Sequence, residues 1–399
     1  MKLTKKHGLF KRIAAATLVF VLLFSLASCK DEKPEDPAVK YNADEIVLPD
    51  KKVAILVAPE AQFPEDYKAA KELESEYPNN IVIKEYKDSR ILEGGDPGII
   101  TFSKELANDP DIGAIVYARA TQYTRNAIYK AKEINPEIVT VCIEPEEDIE
   151  EISDLANLVY CVDWAKAAED IVAQAKAQGA KYFVAFSISR HISSNPLIRS
   201  EIDAFKNACD AQGITYIYNS SVDTNNTGGI SAAQKYIDEA VARLYLNKTV
   251  EGKDVALFST DSAVQSTLIN QANSRGLIYV CPSFPTAYNG LGEVYEIAKP
   301  ESITDVAAYI KSAKDAVEAD NSGTARLSIY KTPLASILLR AAVHSSFDLL
   351  GGTMTAENMA DKATVRALVA ANSDDFSITA YGTKKNAFMA YQPGFETLR

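Results

Sequence analysis

The sequence predicts an α/β fold with two successive lobes, each a parallel β-sheet with helices on both faces. Short runs that are apolar throughout alternate with longer segments whose apolar residues recur at helical spacing. Runs without polar residues are typical of parallel strands, because crossover helices bury both faces of the sheet. The chain has 399 residues, more than one domain usually contains, which favours two lobes.

The first strand–helix series follows residue 51. Val53–Ala58 is fully apolar and predicts the first strand, and Pro64 stands where a helix can begin, because its fixed φ suits the first helical turn. The further predicted strands are Ile81–Tyr86, Ile112–Tyr117, Ile138–Ile143 and Leu158–Val162, and the helices between them are Ile99–Ala107, Thr124–Ile134 and Ile149–Ala156.

A second series begins at Trp164 and uses the same architecture again. Gly179, Gly213 and Gly276 each follow a predicted helix, where the left-handed conformation of a C-terminal cap favours glycine. The predicted strands are Tyr182–Phe186, Thr215–Tyr218, Val255–Phe258 and Leu277–Cys281, and the predicted helices are Trp164–Ala177, Pro196–Gln212, Ser231–Asn247 and Ala263–Ser274. Two such arrays in succession predict two Rossmann-like lobes.

The pattern beyond residue 287 is less regular. Val294–Ile297 predicts a strand, and Phe376–Tyr391 is predicted to be β or irregular. The predicted helices are Ile303–Val317, Pro333–Leu349 and Ala356–Ala371. We assign residues 51–162 and about 288–345 to an N-terminal lobe, and residues 163–287 and about 346–399 to a C-terminal lobe.

The first 29 residues resemble a bacterial lipoprotein signal. A basic segment precedes the apolar run Ile13–Leu26, which is too short for a stable membrane span, and Leu26-Ala27-Ser28-Cys29 resembles a lipobox. The resemblance implies a signal peptide over residues 1–28 and a diacylglyceryl group on Cys29; the alternative is an ordinary secretory signal with an incidental cysteine. Residues 29–50 are polar and proline-containing and predict a flexible tether. The protein is therefore expected outside the cytoplasm, lipid-anchored to the bacterial membrane.

The charge of the chain excludes one class of partner. Removal of residues 1–28, which hold five basic and no acidic residues, lowers the formal net charge from −12 to −17. Such a surface repels phosphate backbones and anionic lipids, so we expect no nucleic-acid partner and attachment to the membrane through the acyl anchor alone.

Four cysteines follow Cys29, at positions 142, 161, 209 and 281. Pairing is possible in an exported protein, but three of the four lie in strand-like apolar runs, which favours buried free thiols. No Cys-x-x-Cys or His-x-x-x-His spacing occurs, and no metal site is predicted.

Polar and aromatic side chains recur directly after the predicted strands. Ligands of open parallel sheets collect at this edge, because loops and helix N-termini converge there. The candidate ligand-binding residues are Gln62, Arg119, Gln122, Asp163, Trp164, Ser187, Arg190, Asn219, Asp261 and Phe284. Guanidinium, carboxylate, amide and aromatic groups together suit a polar small molecule.

Each candidate also has a structural alternative. Asp261 can cap the helix that follows it, and Trp164 can pack where the lobes join. Arg119 and Arg190 can form ion pairs with acidic neighbours, and glutamines after strands are often solvated.

Catalytic patterns are weak. His191 lies near Ser187 and Ser189 in sequence, which does not establish an oriented nucleophile, and His344 lies in an apolar helix that favours a packed side chain. The glycines Gly94, Gly95 and Gly98 do not join a first strand to its helix, so they predict no dinucleotide site. The acidic run from Glu146 to Glu151 predicts a solvated helix start. We therefore predict no catalytic residue and no cofactor.

The stretch from Val159 to Phe284 resembles the second lobe of type I periplasmic binding proteins. The resemblance depends on Asp163-Trp164-Ala165-Lys166-Ala167-Ala168, on Arg199 with Ala204, Phe205 and Ala208, and on Ser259-Thr260-Asp261-Ser262-Ala263. Ala204 replaces a frequent glycine of that family, and Ser259-Thr260 replaces its asparagine. The combination with a lipobox is also similar to an uncharacterised family of bacterial lipoproteins related to nucleoside- and sugar-binding ones.

The resemblance implies two lobes, joined at a hinge by three strands, that close on a ligand and present it to an ABC permease. Asp163, Trp164, Arg190 and Asp261 would then face the cleft, whereas the ligand itself is not implied. The predicted function is that of a membrane-anchored solute-binding protein for a sugar-, nucleoside- or vitamin-like molecule. The alternatives are an exported enzyme acting on a glycan or nucleotide and a ligand sensor for a membrane receptor.

Overall fold

The computed structural model describes residues 41, 46–58, 60, 63–87, 92–93, 96–194, 196–224, 228–298, 300–303, 305–320, 323–371 and 376–399. Residues 40–399 form one compact unit. The predictions for the signal peptide, for Cys29 and for Gln62 lie outside the described residues.

The first sheet contains seven strands among the described residues. They are β1 Lys52–Val57, β2 Ile81–Glu85, β5 Ile112–Tyr117, β6 Val139–Ile143, β7 Leu158–Val162, β13 Ser377–Ala380 and β14 Ala387–Tyr391. Their order is β13-β14-β7-β6-β5-β1-β2, parallel except for the antiparallel pair β13–β14. The short strands β3 Leu92–Glu93 and β4 Asp96–Pro97 pair separately. β5, β6 and β7 are buried along their whole length, as their apolar sequences predict.

Seven helices of the described residues accompany the first sheet. They are α1 Pro64–Glu76, α2 Gly98–Asn108, α3 Thr124–Ile134, α4 Ile149–Ser153, α12 Leu334–Leu350, α13 Ala356–Met359 and α14 Lys362–Ala370. The helix α12 contacts α1, β1, β5 and β6 and is buried over nearly its whole circumference. Its apolar sequence on all sides explains this position. This layer and its sheet form the N-terminal lobe.

The second sheet contains six strands among the described residues. They are β8 Tyr182–Ile188, β9 Thr215–Ser221, β10 Val255–Ser259, β11 Ile278–Tyr279, β12 Arg326–Tyr330 and β15 Phe395–Thr397. Their order is β15-β12-β11-β10-β8-β9, parallel except for the antiparallel β15. Phe205 packs between the sheet residues Phe183 and Phe258, with ring centroids 5.0 and 4.8 Å away.

The helices of the second sheet complete the C-terminal lobe. They are α5 Trp164–Ala177, α6 Ser189–Ser194, α7 Pro196–Gln212, α8 Gly229–Leu246, α9 Gln265–Arg275, α10 Leu291–Val294 and α11 Val306–Ala319, with a 3₁₀ turn at Ser262–Val264. No helix in the described ranges has the length and apolarity that crossing a membrane requires.

The chain passes between the two sheets three times. It leaves the first sheet after Val162, returns between Tyr330 and Leu334, and crosses again between Tyr391 and Phe395. Two parallel-dominated sheets with helices on both sides confirm the predicted fold class. The three crossings supply the hinge expected from it.

Two secondary-structure predictions beyond residue 287 differ from the structure. The predicted strand Val294–Ile297 is wrong, because the helix α10 ends at Val294 and irregular chain follows. The predicted helix Ala356–Ala371 is two helices, separated where Asp361 caps α14 by accepting the backbone N–H of Thr364 at 3.0 Å.

The sheet membership of this region differs from the predicted assignment for α11, β12, β13 and β14. β12 joins the second sheet, whereas α12, β13 and β14 join the first. α11 lies with the second sheet, where Arg399, beside β15, donates a hydrogen bond to the carbonyl oxygen of Val317. Lobe membership depends on which sheet edge a strand extends, and a local apolar pattern does not contain that information.

The end of the predicted tether packs on the N-terminal lobe. The Tyr41 hydroxyl donates to Asp348 Oδ2 at 2.8 Å, and its ring stacks on His344 with centroids 6.3 Å apart. Asn80 Nδ2 donates to the carbonyl oxygen of Pro49 at 2.8 Å. Tyr41 and Pro49 lie within the segment that was predicted to be a flexible tether, but both are bonded to the N-terminal lobe.

Candidate functional site

The carboxyl ends of the two sheets meet where the lobes join. Arg119 follows β5 of the N-terminal lobe, and Phe284 follows β11 of the C-terminal lobe. The guanidinium carbon of Arg119 lies 4.6 Å from the centroid of the Phe284 ring. The strand tips that the sequence selected as candidates are therefore in contact across the junction.

Arg119 is held by an acid and by two aromatic rings. Its Nε donates to Asp66 Oδ2 at 3.0 Å and its Nη2 to Oδ1 at 3.4 Å, a bidentate pair. The guanidinium also lies 5.0 Å from the centroid of Phe63 and is thus stacked between one ring of each lobe. Burial alone would lower the pKa of Arg119, but Asp66, Glu144 and Glu146 raise it, so the group is charged.

Glu144 and Trp164 form a second contact between the lobes. Glu144 directly follows β6 and adopts the left-handed conformation (φ 49°), and its Oε1 accepts the backbone N–H of Val162. Its Oε2 accepts the indole N–H of Trp164 at 3.2 Å. Trp164 is 5% exposed and lies edge-on to Phe284, with centroids 5.9 Å apart. Its packing role at the junction is confirmed.

Burial governs the ionisation of Glu144. Desolvation raises its pKa to about 7, against the smaller lowering effects of Arg119, Val162 and Trp164. Near neutral pH this carboxyl group is therefore divided between its neutral and charged forms.

Arg190 pairs with an acid on the C-terminal side of the junction. Its Nε donates to Asp223 Oδ2 at 3.0 Å and its Nη2 to Oδ1 at 3.4 Å. Its charge lowers the pKa of Glu146 in the N-terminal lobe, although burial raises that pKa overall.

Asp261 has both a capping role and an unused oxygen. Its Oδ1 accepts the backbone N–H of Ala263 at 3.0 Å, so the predicted cap is confirmed. Its Oδ2 is buried without a well-formed hydrogen bond, with Thr224 and the Arg190–Asp223 pair nearby. Burial raises the pKa of Asp261.

The remaining candidates lie at or beneath the same edge. Ser187 is buried and bonds the Thr260 hydroxyl at 2.7 Å, and the Nδ2 of Asn219 is buried without a partner. The backbone N–H of Gln122 donates to the Glu146 carboxylate. Asp163 Oδ1 caps α5 by accepting from the N–H of Lys166 at 3.1 Å.

Several residues of the junction were missed by the sequence reasoning. Phe63, Glu144 and Glu146 follow strands, so their position was a usable signal. Asp66 and Asp223 had none, because their arginine partners are 53 and 33 positions away. The acidic run from Glu146 to Glu151 was predicted to be a solvated helix start. Asp148 does cap the helix α4, but the side chain of Glu147 instead accepts the backbone N–H of Arg125 at 2.9 Å.

Side chains fill the space between the strand tips in this structure. Arg119, Trp164 and Phe284 occupy it through the contacts above. Two cavities of about 330 Å³ lie elsewhere, one beside Lys52, Lys84 and Glu105 and the other beside Glu72, Glu76 and Glu301. A guest molecule between the tips therefore requires the lobes to separate.

Among the described residues, His344 and the four cysteines after Cys29 are packed in the interior. Ser189 Oγ lies 3.3 Å from Ser220 Oγ, and the side chain of His191 is outside the described residues. His344 is packed as predicted, and burial lowers its pKa to about 4. The four cysteines after Cys29 are buried and free, as predicted. Within the described ranges no group of three or more metal-ligating side chains occurs.

Comparison with known sequences identifies a family. A family model described as a protein of unknown function, DUF3798, matches residues 51–328. An uncharacterized protein of Treponema pallidum (strain Nichols) is 23% identical over 217 residues, which are 53% of this chain and 99% of that protein.

Comparison with solved structures identifies the fold. A protein of Clostridium difficile 630, described as a candidate transcriptional regulator, superposes with a TM-score of 0.70 at 17% identity, over 88% of this chain and all of its own. An ABC transporter solute-binding protein of Clostridium phytofermentans, with bound L-rhamnose, gives a TM-score of 0.50 at 11% identity, over 87% and 96% of the two chains. The chain has the two-lobed fold of type I periplasmic binding proteins. These neighbours are a binding protein and a regulator rather than enzymes.

Proposed function

This chain belongs to the DUF3798 family, and we propose that it is a membrane-anchored extracytoplasmic solute-binding protein that holds a polar small molecule between its two lobes. The observation that supports the proposal most is the meeting of both sets of strand tips, with Arg119 stacked on Phe284 and Glu144 bonded to Trp164 across the junction. In open parallel sheets this edge is where ligands bind.

The mechanism is a hinge motion around the three chain crossings. Opening separates Arg119 from Phe284 and Glu144 from Trp164, which exposes the polar groups of both walls. A ligand that contacts both walls binds the closed form more tightly than the open form and shifts the equilibrium toward closure. Binding and positioning are the whole task, with no bond made or broken.

The ligand, the permease and the anchor belong to the same proposal. The neighbour from Clostridium phytofermentans holds L-rhamnose, and the polar groups here suit a sugar-, nucleoside- or vitamin-like solute. The residues proposed from the sequence to contact it are Gln62, Arg119, Gln122, Asp163, Trp164, Ser187, Arg190, Asn219, Asp261 and Phe284. The closed form is delivered to an ABC importer, and a lipid on Cys29 keeps the protein at the membrane.

Trp164 provides the binding test, because it is the only tryptophan of the chain. Residues 30–399 are screened by thermal shift against sugars, nucleosides, vitamins and amino acids, and each stabilising compound is titrated while Trp164 emission is recorded. We expect the stabilising compound to change that emission. Stabilisation that never alters the emission argues against a ligand at the junction.

Two further measurements test the anchor and the partner. Cells fed labelled palmitate should label the wild-type chain and leave Cys29→Ala unlabelled; equal labelling of both excludes the proposed lipid site. Co-purification with a permease, or permease and ATPase genes beside the gene, supports import. A membrane kinase or chemoreceptor recovered in their place favours a sensor.

A further inference from the structure

The two lobes are also bonded to each other outside the junction. On the helix α1 of the N-terminal lobe, the Lys68 ammonium group donates to the carbonyl oxygen of Pro300. One turn further along, Glu72 Oε1 accepts the backbone N–H of Ile303 at 2.5 Å, and its Oε2 accepts the Ser302 hydroxyl at 3.3 Å. None of these residues belongs to the junction contacts or to the three chain crossings.

The segment Pro300–Ile303 belongs to the C-terminal lobe. The Tyr288 hydroxyl donates to the carbonyl oxygen of the last residue of this segment at 2.6 Å, and the Tyr288 ring lies edge-on to Tyr309 of α11, with centroids 4.8 Å apart. Between the two in sequence, the Tyr295 hydroxyl accepts from Nδ2 of Asn273 in α9 at 2.9 Å. These contacts hold the segment against helices of the C-terminal lobe, so its bonds to α1 join one lobe to the other.

The helix α1 is held within the N-terminal lobe. It contacts α12, β1 and β2, and the Arg340 guanidinium of α12 pairs with Glu76 in its last turn. The same guanidinium lies 3.9 Å from Glu72 Oε2. Arg340 therefore helps to position the carboxylate that reaches the other lobe.

The contact between α1 and the segment is polar and contains one of the two cavities described above. The residues that line it are Glu72, Ser75 and Glu76 of α1 and Glu301 and Ser302 of the facing segment. Each of these side chains carries a carboxylate or a hydroxyl group, so the two sides can separate and become hydrated there without exposing apolar side chains. The other cavity lies within the N-terminal lobe, beside the surface pair of Lys84 with the exposed Glu105, and does not join the lobes.

We propose that Lys68 and Glu72, with the facing segment Pro300–Ile303, form a latch that holds the two lobes together when no solute is bound. Each side chain contributes a charged partner, and hydrogen bonds with a charged partner are stronger than neutral ones. Loss of both side chains should lower the ratio of closed to open protein by about tenfold or more. The latch rests on the lobe closure of the proposed function and extends it to the empty protein.

The latch determines when a solute can enter. A protein that is already closed admits a solute only while the latch bonds are broken, so opening limits the rate of binding. The same bonds favour the form that a solute contacts with both lobes, so less of its binding free energy is needed for closure. The latch should therefore slow both the association and the dissociation of the solute.

Variants of α1 test the latch without a solute. Lys68→Met removes the ammonium donor and keeps a long side chain, and Lys68→Met combined with Glu72→Met removes both sets of bonds. Lys71→Met combined with Glu74→Met is the matched control, because this 2.8 Å ion pair lies on the surface of the same helix and joins α1 only to itself. Lys68→Arg keeps a charged donor and should behave as the wild type does.

Two measurements on residues 30–399 report the separation of the lobes. Trp164 is 5% exposed while it packs on Phe284, so acrylamide quenches it more strongly when the lobes part. Small-angle X-ray scattering gives the radius of gyration. Loss of both latch side chains should raise the quenching constant at least about twofold and increase the radius of gyration, Lys68→Met should do so to a smaller extent, and the control should do neither.

Urea unfolding separates the latch from a general effect on stability. A merely structural role of Lys68 and Glu72 would lower the free energy of unfolding and leave the quenching of the folded protein unchanged. Stronger quenching and a larger radius of gyration in the latch variants alone support the latch. If the combined latch variant does not fold, Lys68→Met is judged by the same criteria.

Three results overturn the latch. The first is wild-type quenching in the latch variants, the second is an equal increase in the control pair, and the third is strong quenching of the empty wild type, because its lobes would then already be open. Each leaves solute binding intact, since the thermal-shift screen tests that function separately. A screen that finds no solute for a protein whose latch variants open would instead refute the proposed function and leave the latch.

Discussion

The raised pKa of Glu144 predicts that this single carboxyl group makes the folded protein less stable as the pH rises. In the fold Glu144 is buried and titrates at about 7, whereas its usual value is 4.5. The folded state therefore binds the proton more tightly than the unfolded state does. The resulting stabilisation is complete below pH 4.5 and is lost as the pH rises through about 7.

The size of the effect follows from the shift. The two pKa values differ by about 2.5 units, and one unit corresponds to about 1.4 kcal/mol, so the free energy of unfolding falls by about 3 kcal/mol across this window. Glu144→Gln removes the titration. The amide has one acceptor where the carboxylate uses two, for Val162 N–H and Trp164 Nε1–H, so the variant should also show an offset that does not depend on pH.

Urea unfolding of residues 30–399 at pH 4.5, 6, 7 and 8.5 measures this contribution. The wild type minus Glu144→Gln difference in unfolding free energy should fall by about 3 kcal/mol over the series. The other buried acids titrate in both proteins and largely cancel in the difference. Glu105→Gln should give a difference that stays flat. A Glu144→Gln difference that varies by less than about 0.5 kcal/mol would refute the assignment of a desolvated carboxyl group at the junction.

Three further predictions concern single side chains. Arg119→Ala leaves the carboxylate of Asp66 buried and unpaired and should lower the unfolding free energy by about 3–5 kcal/mol. Lys84→Ala, at an exposed ion pair, should lower it by no more than about 1 kcal/mol. Equal losses of the two variants in urea unfolding would contradict the burial of the Arg119–Asp66 pair. Burial lowers the pKa of His344 from 6.5 to about 4, so the unfolding free energy should fall by about 3 kcal/mol as the pH falls from 6.5 to 4. His344→Gln should remove that loss. If the unfolding free energy of the variant falls equally over this pH range, the prediction is wrong. Acrylamide should quench Trp164 weakly in the unliganded protein, and Phe284→Ala should increase the quenching because a covering ring is removed; strong quenching of the unaltered protein would mean that the lobes stand open in solution.

Much of the fold was predictable because the relevant information is local. Val53–Ala58 and Ile112–Tyr117 are short and apolar without interruption, which is typical of a strand covered on both faces, and both predictions match observed strands within one residue. The helix Thr124–Ile134 has the predicted bounds, because its apolar residues repeat at helical spacing.

The site was predictable only as a set of positions. Arg119, Trp164, Arg190 and Asp261 do lie at the junction, because the end of every parallel strand lies at the same edge of its sheet. Their acidic partners Asp66 and Asp223 were not visible, because they lie 53 and 33 positions away from Arg119 and Arg190 along the chain.

The sequence by itself determined that the chain forms two strand–helix arrays, because the period of its apolar residues sets which segments are strands and which are helices. Only the tertiary structure decided that β12 extends the second sheet while β13 and β14 extend the first, and that Glu144 is buried against Trp164 where the lobes join. The physical reason is distance along the chain: periodicity acts within one element, whereas strand pairing and desolvation depend on groups that the fold brings together from far apart.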